Sequence, residues 1–81
     1  MHMKEDNINK LNEIFFTILE LDKHYHLEEL NSENYKKWDS LAHVLLIAAL
    51  ESEFKILIDV SDYENLTSYS AVKNLLMDYE L

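Results

Sequence analysis

Few side chains in this 81-residue chain could carry chemistry, and Ser40 is the first of them. It follows Lys37-Trp38-Asp39 and opens the run Leu41-Ala42-His43-Val44-Leu45-Leu46-Ile47-Ala48-Ala49-Leu50-Glu51-Ser52-Glu53-Phe54. Within that run Leu46, Ile47, Leu50 and Phe54 recur at the period of a buried helical stripe. Asp39 is a natural N-cap, because its carboxylate can accept the unpaired amide protons of the first turn. Ser40 therefore stands at the mouth of a helix with its hydroxyl near solvent. A group attached there meets free amides and the positive end of the helix dipole, which favours a phosphate.

Other chemistries fit the sequence less well. A serine hydrolase needs a base and an oxyanion hole around the serine. His43 lies on the Ser40 side of the same helix, but there is no Gly-x-Ser-x-Gly elbow and no evident carboxylate to orient the histidine. His24, His26 and His43 invite a zinc reading, yet nothing repeats their spacing, and solvated loop histidines are expected. Asp22 to Glu33 has acids at both ends, as a calcium loop does. Leu27 occupies the place of the required glycine, and His24 and His26 stand at ligand positions, so that motif fails. The expected catalytic and metal-binding sets are both empty. Cysteine is absent, so no disulfide or thiolate nucleophile exists, and any thiol chemistry must arrive with a prosthetic group.

Composition narrows the class further. Seven basic against sixteen acidic residues leave a net charge of −9, which argues against nucleic-acid binding and suits partners with Lys and Arg patches. Hydrophobic residues at 48% and charged residues at 28% read as one small globular domain over 1–81. No apolar run approaches the ~20 residues of a membrane span. The N-terminus lacks a signal-peptide core, so a cytoplasmic monomer with no membrane partner is expected. Residues 1–3 are expected to be disordered or a cloning remnant.

Three helices must position Ser40. Residues 4–21 place Ile8, Leu11, Ile14, Phe15, Ile18 and Leu19 on one face, with Glu5 and Asp6 in the first turn. Residues 22–39 lack a period and read as a long loop, with Leu27, Leu30 and Trp38 pinning it and a short helical turn near Leu27-Leu30. The second helix is expected over 40–54. Residues 55–60 could pass for a buried strand, but no partner strand exists. Thr67 or Ser68 is expected to cap a last helix over 69–79, with Val72, Leu75, Leu76 and Tyr79 inward. The main core is expected from Leu46, Ile47, Leu50, Phe54, Ile14, Phe15, Ile18 and Ile58. The chain has neither Gly nor Pro, so every turn must be built from other residues.

Asp39-Ser40-Leu41, followed by Leu46-Ile47-x-x-Leu50-Glu51-x-Glu53-Phe54 in a short acidic chain, resembles the acyl carrier proteins over residues 4–80. The resemblance implies an all-α bundle of three main helices plus one short helix over about 61–65, with a long first loop and an extended 55–60 connector that tucks Ile58 into the core. It implies a 4'-phosphopantetheine arm joined to Ser40 by a phosphodiester, with Asp39 and Leu41 completing the attachment motif and nearby Lys37 offsetting part of the new charge. A phosphopantetheinyl transferase would supply the arm from coenzyme A, using its own magnesium. Acyl or aminoacyl groups would ride on the arm as thioesters to enzymes with basic or apolar docking surfaces. Asp39-Ser40-Leu41 is closer to fatty-acid, polyketide or surface-glycan carriers than to peptide-synthetase carriers. Trp38 and His43 resemble stand-alone carriers of specialised pathways. Family members often have glycine where this chain has Lys37 and Lys55, which leaves the first loop's geometry and the second helix's C-cap open.

Leu41, Val44, Leu45 and Ala48 form a second apolar stripe on the Ser40 helix, and a two-sided apolar helix means deep burial or a partner site. Leu41, Val44 and Ala48 are read as partner contacts, with Leu45 either joining them or packing beneath Trp38. Glu51 is the acidic docking residue expected on the Ser40 side. The alternative is an acidic helical adaptor or inhibitor module without an arm, or a carrier-like domain serving as a structural subunit.

Overall fold

The computed structural model describes residues 3–81 and is a small all-α bundle measuring 30 × 28 × 19 Å. Three main helices, α1 (Glu5–Ile18), α2 (Ser40–Phe54) and α3 (Tyr69–Asp78), are joined by segments containing two short 3-10 turns, Leu27–Glu29 and Val60–Asn65. The first lies where a short helical turn near Leu27-Leu30 was expected, and the second where a short helix was expected over about 61–65. Among the described residues there is no strand, only an isolated bridge between Asn31 and Ser68. The expectation that residues 1 and 2 are disordered or a remnant lies outside the described residues. Met3, grouped with them, is instead buried in the core, where it adds apolar area that a small domain needs.

The core forms where the three apolar stripes meet. Leu11 and Phe15 come from α1 and Leu19 from its C-cap, Leu46, Ile47, Leu50 and Phe54 from α2, and Val72 and Leu76 from α3. Phe15 is the hub: its ring meets Trp38 at 5.7 Å and Tyr69 at 5.2 Å between centroids, both edge-on, the arrangement that the aromatic quadrupole favours. Buried Tyr69 donates its hydroxyl to Asn12 Oδ1 at 2.6 Å, and burial pushes its pKa above the usual 10.0. The long loop is pinned by Leu21, Leu27, Leu30 and Trp38, as expected for the last three. Ile58 is buried at the end of the extended connector. Ile14 and Ile18 differ from expectation, being only half-buried along the α1–α2 seam. Leu75 is also half-buried. Tyr79 lies at the surface, because its hydroxyl reaches out to the Leu57 carbonyl at 2.8 Å.

A chain without glycine ends all three helices in the same way. Glu20, Lys55 and Glu80 adopt left-handed backbone, with φ of 53°, 55° and 63°. The next residue then donates its amide five positions back: Leu21 to Phe16, Ile56 to Glu51, Leu81 to Leu76. This is a Schellman closure, usually built on glycine, followed here each time by Leu or Ile. It stops α1 at Ile18, short of the expected 21. Ser68 is the cap of α3, its hydroxyl accepting the Ala71 amide at 3.0 Å.

Candidate functional site

The corner at the start of α2 is built from the loop inward. Buried Trp38 is held by Phe15, which fixes where the loop ends. Asp39 then takes extended backbone and its Oδ1 accepts the Ala42 amide at 2.9 Å, while its carbonyl accepts the His43 amide. Asp39 is thus the N-cap that the sequence implied. Ser40 is the first helical residue and is exposed. Neither its amide nor that of Leu41 has a protein acceptor among the described residues. An exposed hydroxyl beside two unpaired amides at the positive end of a 15-residue helix is a donor set that fits a phosphodiester oxygen.

His43 does not serve Ser40. The Trp38 indole N–H donates to His43 Nδ1 at 3.0 Å, and His43 Nε2 lies 2.8 Å from the Tyr63 carbonyl. An indole can only donate and a carbonyl can only accept, so the ring is the neutral tautomer with its proton on Nε2. Both nitrogens are used to tie the loop and the second 3-10 turn to α2. Lys37, expected to offset charge at Ser40, pairs loosely with Glu20 at 3.7 Å, and both side chains are well exposed.

A cleft of about 370 Å³ opens beside Ser40. Ser32, Trp38, Asp39, His43, Glu64 and Thr67 line it together with Ser40 itself. Its walls come from the long loop, the start of α2, the second 3-10 turn and the segment before α3. Sequence reasoning did not place Ser32, Glu64 and Thr67 beside Ser40, because nothing in their spacing announces that the loop and the segment before α3 run side by side.

The second apolar stripe of α2 is open to solvent. Leu41 is 69% exposed, Val44 61% and Leu45 49%, and Ala48 is also exposed. Leu45 is therefore not beneath Trp38. Leu57, on the connector after α2, and Val60, at the start of the second 3-10 turn, are 86% and 72% exposed, two further apolar surface residues that the sequence reading did not single out. Glu51 corrects the expectation of a free docking carboxylate: it is half-buried and its Oε2 accepts the Ile58 amide at 2.8 Å. Its carbonyl also accepts the amides of Lys55 and Ile56. It anchors the connector, because the chain must turn back there to bury Ile58.

A second groove, about 480 Å³, runs between α1 and α2 over Ile14, Ile18 and Ala49, edged by Lys10, Glu13 and Glu53. Asp59 caps the second 3-10 turn; the Ser61 amide and hydroxyl both donate to its Oδ1 and hold its carboxyl below the usual carboxylate range. Among the described residues no three His, Asp or Glu side chains converge to hold a metal, and His24 and His26 are exposed. No helix there is long and apolar enough to cross a membrane. Against known proteins, the chain matches no family model, no curated protein and no solved structure.

Proposed function

We propose that this chain is an acyl carrier protein that bears a 4'-phosphopantetheine arm on Ser40. The observation that carries the reading is the corner at the start of α2: an exposed serine hydroxyl, capped by Asp39, beside the unpaired amides of Ser40 and Leu41. The resemblance of Asp39-Ser40-Leu41 and the following helix to acyl carriers supports the same assignment. In loading, Ser40 Oγ bonds to the phosphorus of the pantetheine phosphate of coenzyme A, the bond to the nucleotide's phosphate breaks, and adenosine 3',5'-bisphosphate leaves. A phosphopantetheinyl transferase takes the serine proton and holds the magnesium. The arm supplies a terminal thiol for acyl or aminoacyl thioesters.

This chain's own work is presentation. Asp39 holds the corner, and the amides of Ser40 and Leu41 would hold phosphate oxygens. Leu41, Val44, Leu45 and Ala48 offer partner enzymes an apolar face, and the net charge of −9 favours partners whose rims are basic. No catalytic role falls to His43, whose ring nitrogens are both engaged. A cytoplasmic monomer serving a specialised pathway belongs to the same proposal. The exposed α2 face alone would equally serve an adaptor without an arm, and modification of Ser40 separates the two readings.

The test incubates the parent and Ser40→Ala with coenzyme A, magnesium and each of several broad-specificity transferases, followed by intact mass. The parent gains one phosphopantetheine and the variant none. No gain on the parent with any transferase favours the adaptor. A gain on the variant moves the site to another exposed serine, such as Ser52 or Ser61.

A further inference from the structure

We infer that His43 is a proton-operated latch: neutral, it ties the end of the long loop to α2, and protonation at Nδ1 releases Trp38 from it. The inference does not depend on what Ser40 carries. His43 Nδ1 accepts the Trp38 indole N–H at 3.0 Å, and Nε2 donates to the Tyr63 carbonyl at 2.8 Å. Nε2 already holds a proton, so a second one has only Nδ1 to go to. Two donors then face each other where a hydrogen bond stood.

The two sides of the ring respond differently. A charged Nε2–H donates to the Tyr63 carbonyl more strongly than a neutral one, so the second 3-10 turn stays on α2. The indole nitrogen is a donor only and cannot answer by accepting. Ring attraction does not replace the lost bond. The two rings are tilted by 32° with centroids 6.0 Å apart, and the positive N–H edge of the indole faces the imidazole, so a cation there gains nothing from the negative face. Buried Trp38 rests edge-on against Phe15, and its N–H has no second acceptor among the described residues. A buried donor without a partner is costly, and both rings line the cleft, through which water reaches the gap. The release falls one residue before Asp39, the cap of α2, and so loosens the corner that holds Ser40.

The groups around the ring favour its charged form. The loop end supplies Asp39, and the second 3-10 turn supplies Asp62, Tyr63 and Glu64. On the α2 side of the cleft Ser40 is uncharged, as are Ser32 from the long loop and Thr67 from the segment before α3. No cation lines the cleft, and Lys37 is turned to Glu20. The released state binds a proton that the latched state excludes, so acid moves the balance toward release and alkali toward the latch. An imidazole ordinarily titrates near pH ~6.5.

Trp38 is the chain's single tryptophan, so its indole N–H gives one NMR resonance. The experiment follows that resonance, the backbone amides and the histidine ring nitrogens of the unmodified protein from about pH 8 to about pH 5. In the parent the indole resonance should move upfield and the amides at 37–39 should shift, all with the midpoint of the His43 ring. His43→Gln should show no such step. The exposed His24 and His26 are the internal control: in a variant with both changed to Gln, the step should persist. An indole resonance that stays put while His43 protonates overturns the latch. So does a His43 ring that stays neutral to pH 5, a step of the same size in His43→Gln, or a step that vanishes with His24 and His26.

Discussion

The two ends of α2 are used in opposite ways. At the Ser40 end, the helix leaves a hydroxyl and the first two amides without protein partners, next to an open cleft and an exposed apolar face. At the Phe54 end the Glu51 carboxylate and the last-turn backbone are turned to holding the chain. The Glu51 carboxylate accepts the Ile58 amide, its carbonyl accepts two more amides, and Lys55 takes a left-handed backbone to make that closure possible. One helix thus divides its work: its N-terminal half is left available and its C-terminal half holds the connector. The physical cause is the connector itself, which must double back along α2 to bury Ile58 and therefore engages the Glu51 carboxylate and carbonyl at the turn.

The largest expected effect tests whether the closed end is truly part of the core. Phe54→Ala removes a buried ring from a small domain and should cost about 3–5 kcal/mol in urea denaturation. A loss below about 1 kcal/mol would mean that the Phe54 end is as dispensable as the Ser40 end, and the contrast would collapse.

Glu51→Ala comes next. It leaves the half-buried Ile58 amide without its acceptor, so a loss of about 1–3 kcal/mol is expected, together with faster hydrogen exchange at Ile58. If Glu51→Ala is neutral in stability yet weakens binding of partner enzymes, Glu51 belongs with the docking face after all.

Lys55→Gly should stabilise the closed end by about 0.5–1 kcal/mol. It relieves a side chain held at φ 55°, and the gain is partly offset by the extra freedom glycine brings to the unfolded chain. Melting curves of parent and variant provide the check; a destabilised variant would show that the lysine side chain makes a contact that outweighs the backbone strain.

The smallest effect belongs to the open end. Ser40→Ala deletes an exposed hydroxyl that caps nothing, so stability should stay within about 0.5 kcal/mol while modification is abolished. A larger loss would place the Ser40 hydroxyl in the structure rather than in its chemistry.

Much of this was legible in the order of residues. The bounds of α2, the cap at Asp39, the burial of Leu46, Ile47, Leu50 and Phe54, and the exposure of Leu41 and Val44 all follow from a period of 3.6 and a local hydrogen bond, which need only neighbours along the chain. The early stop of α1 was half legible: a polar residue followed by leucine is a weak sign of a left-handed cap when no glycine marks it. Three features belonged to the tertiary structure alone. Glu51 became an anchor because Ile58 returns to it from seven residues away. His43 became a clamp because Trp38 and the Tyr63 carbonyl reach it from opposite sides. The cleft exists because the Ser32 amide finds the Thr67 carbonyl. Each of these bonds joins segments whose meeting depends on how the core packs, and an isolated polar residue carries no periodic trace of the partner that packing will bring to it.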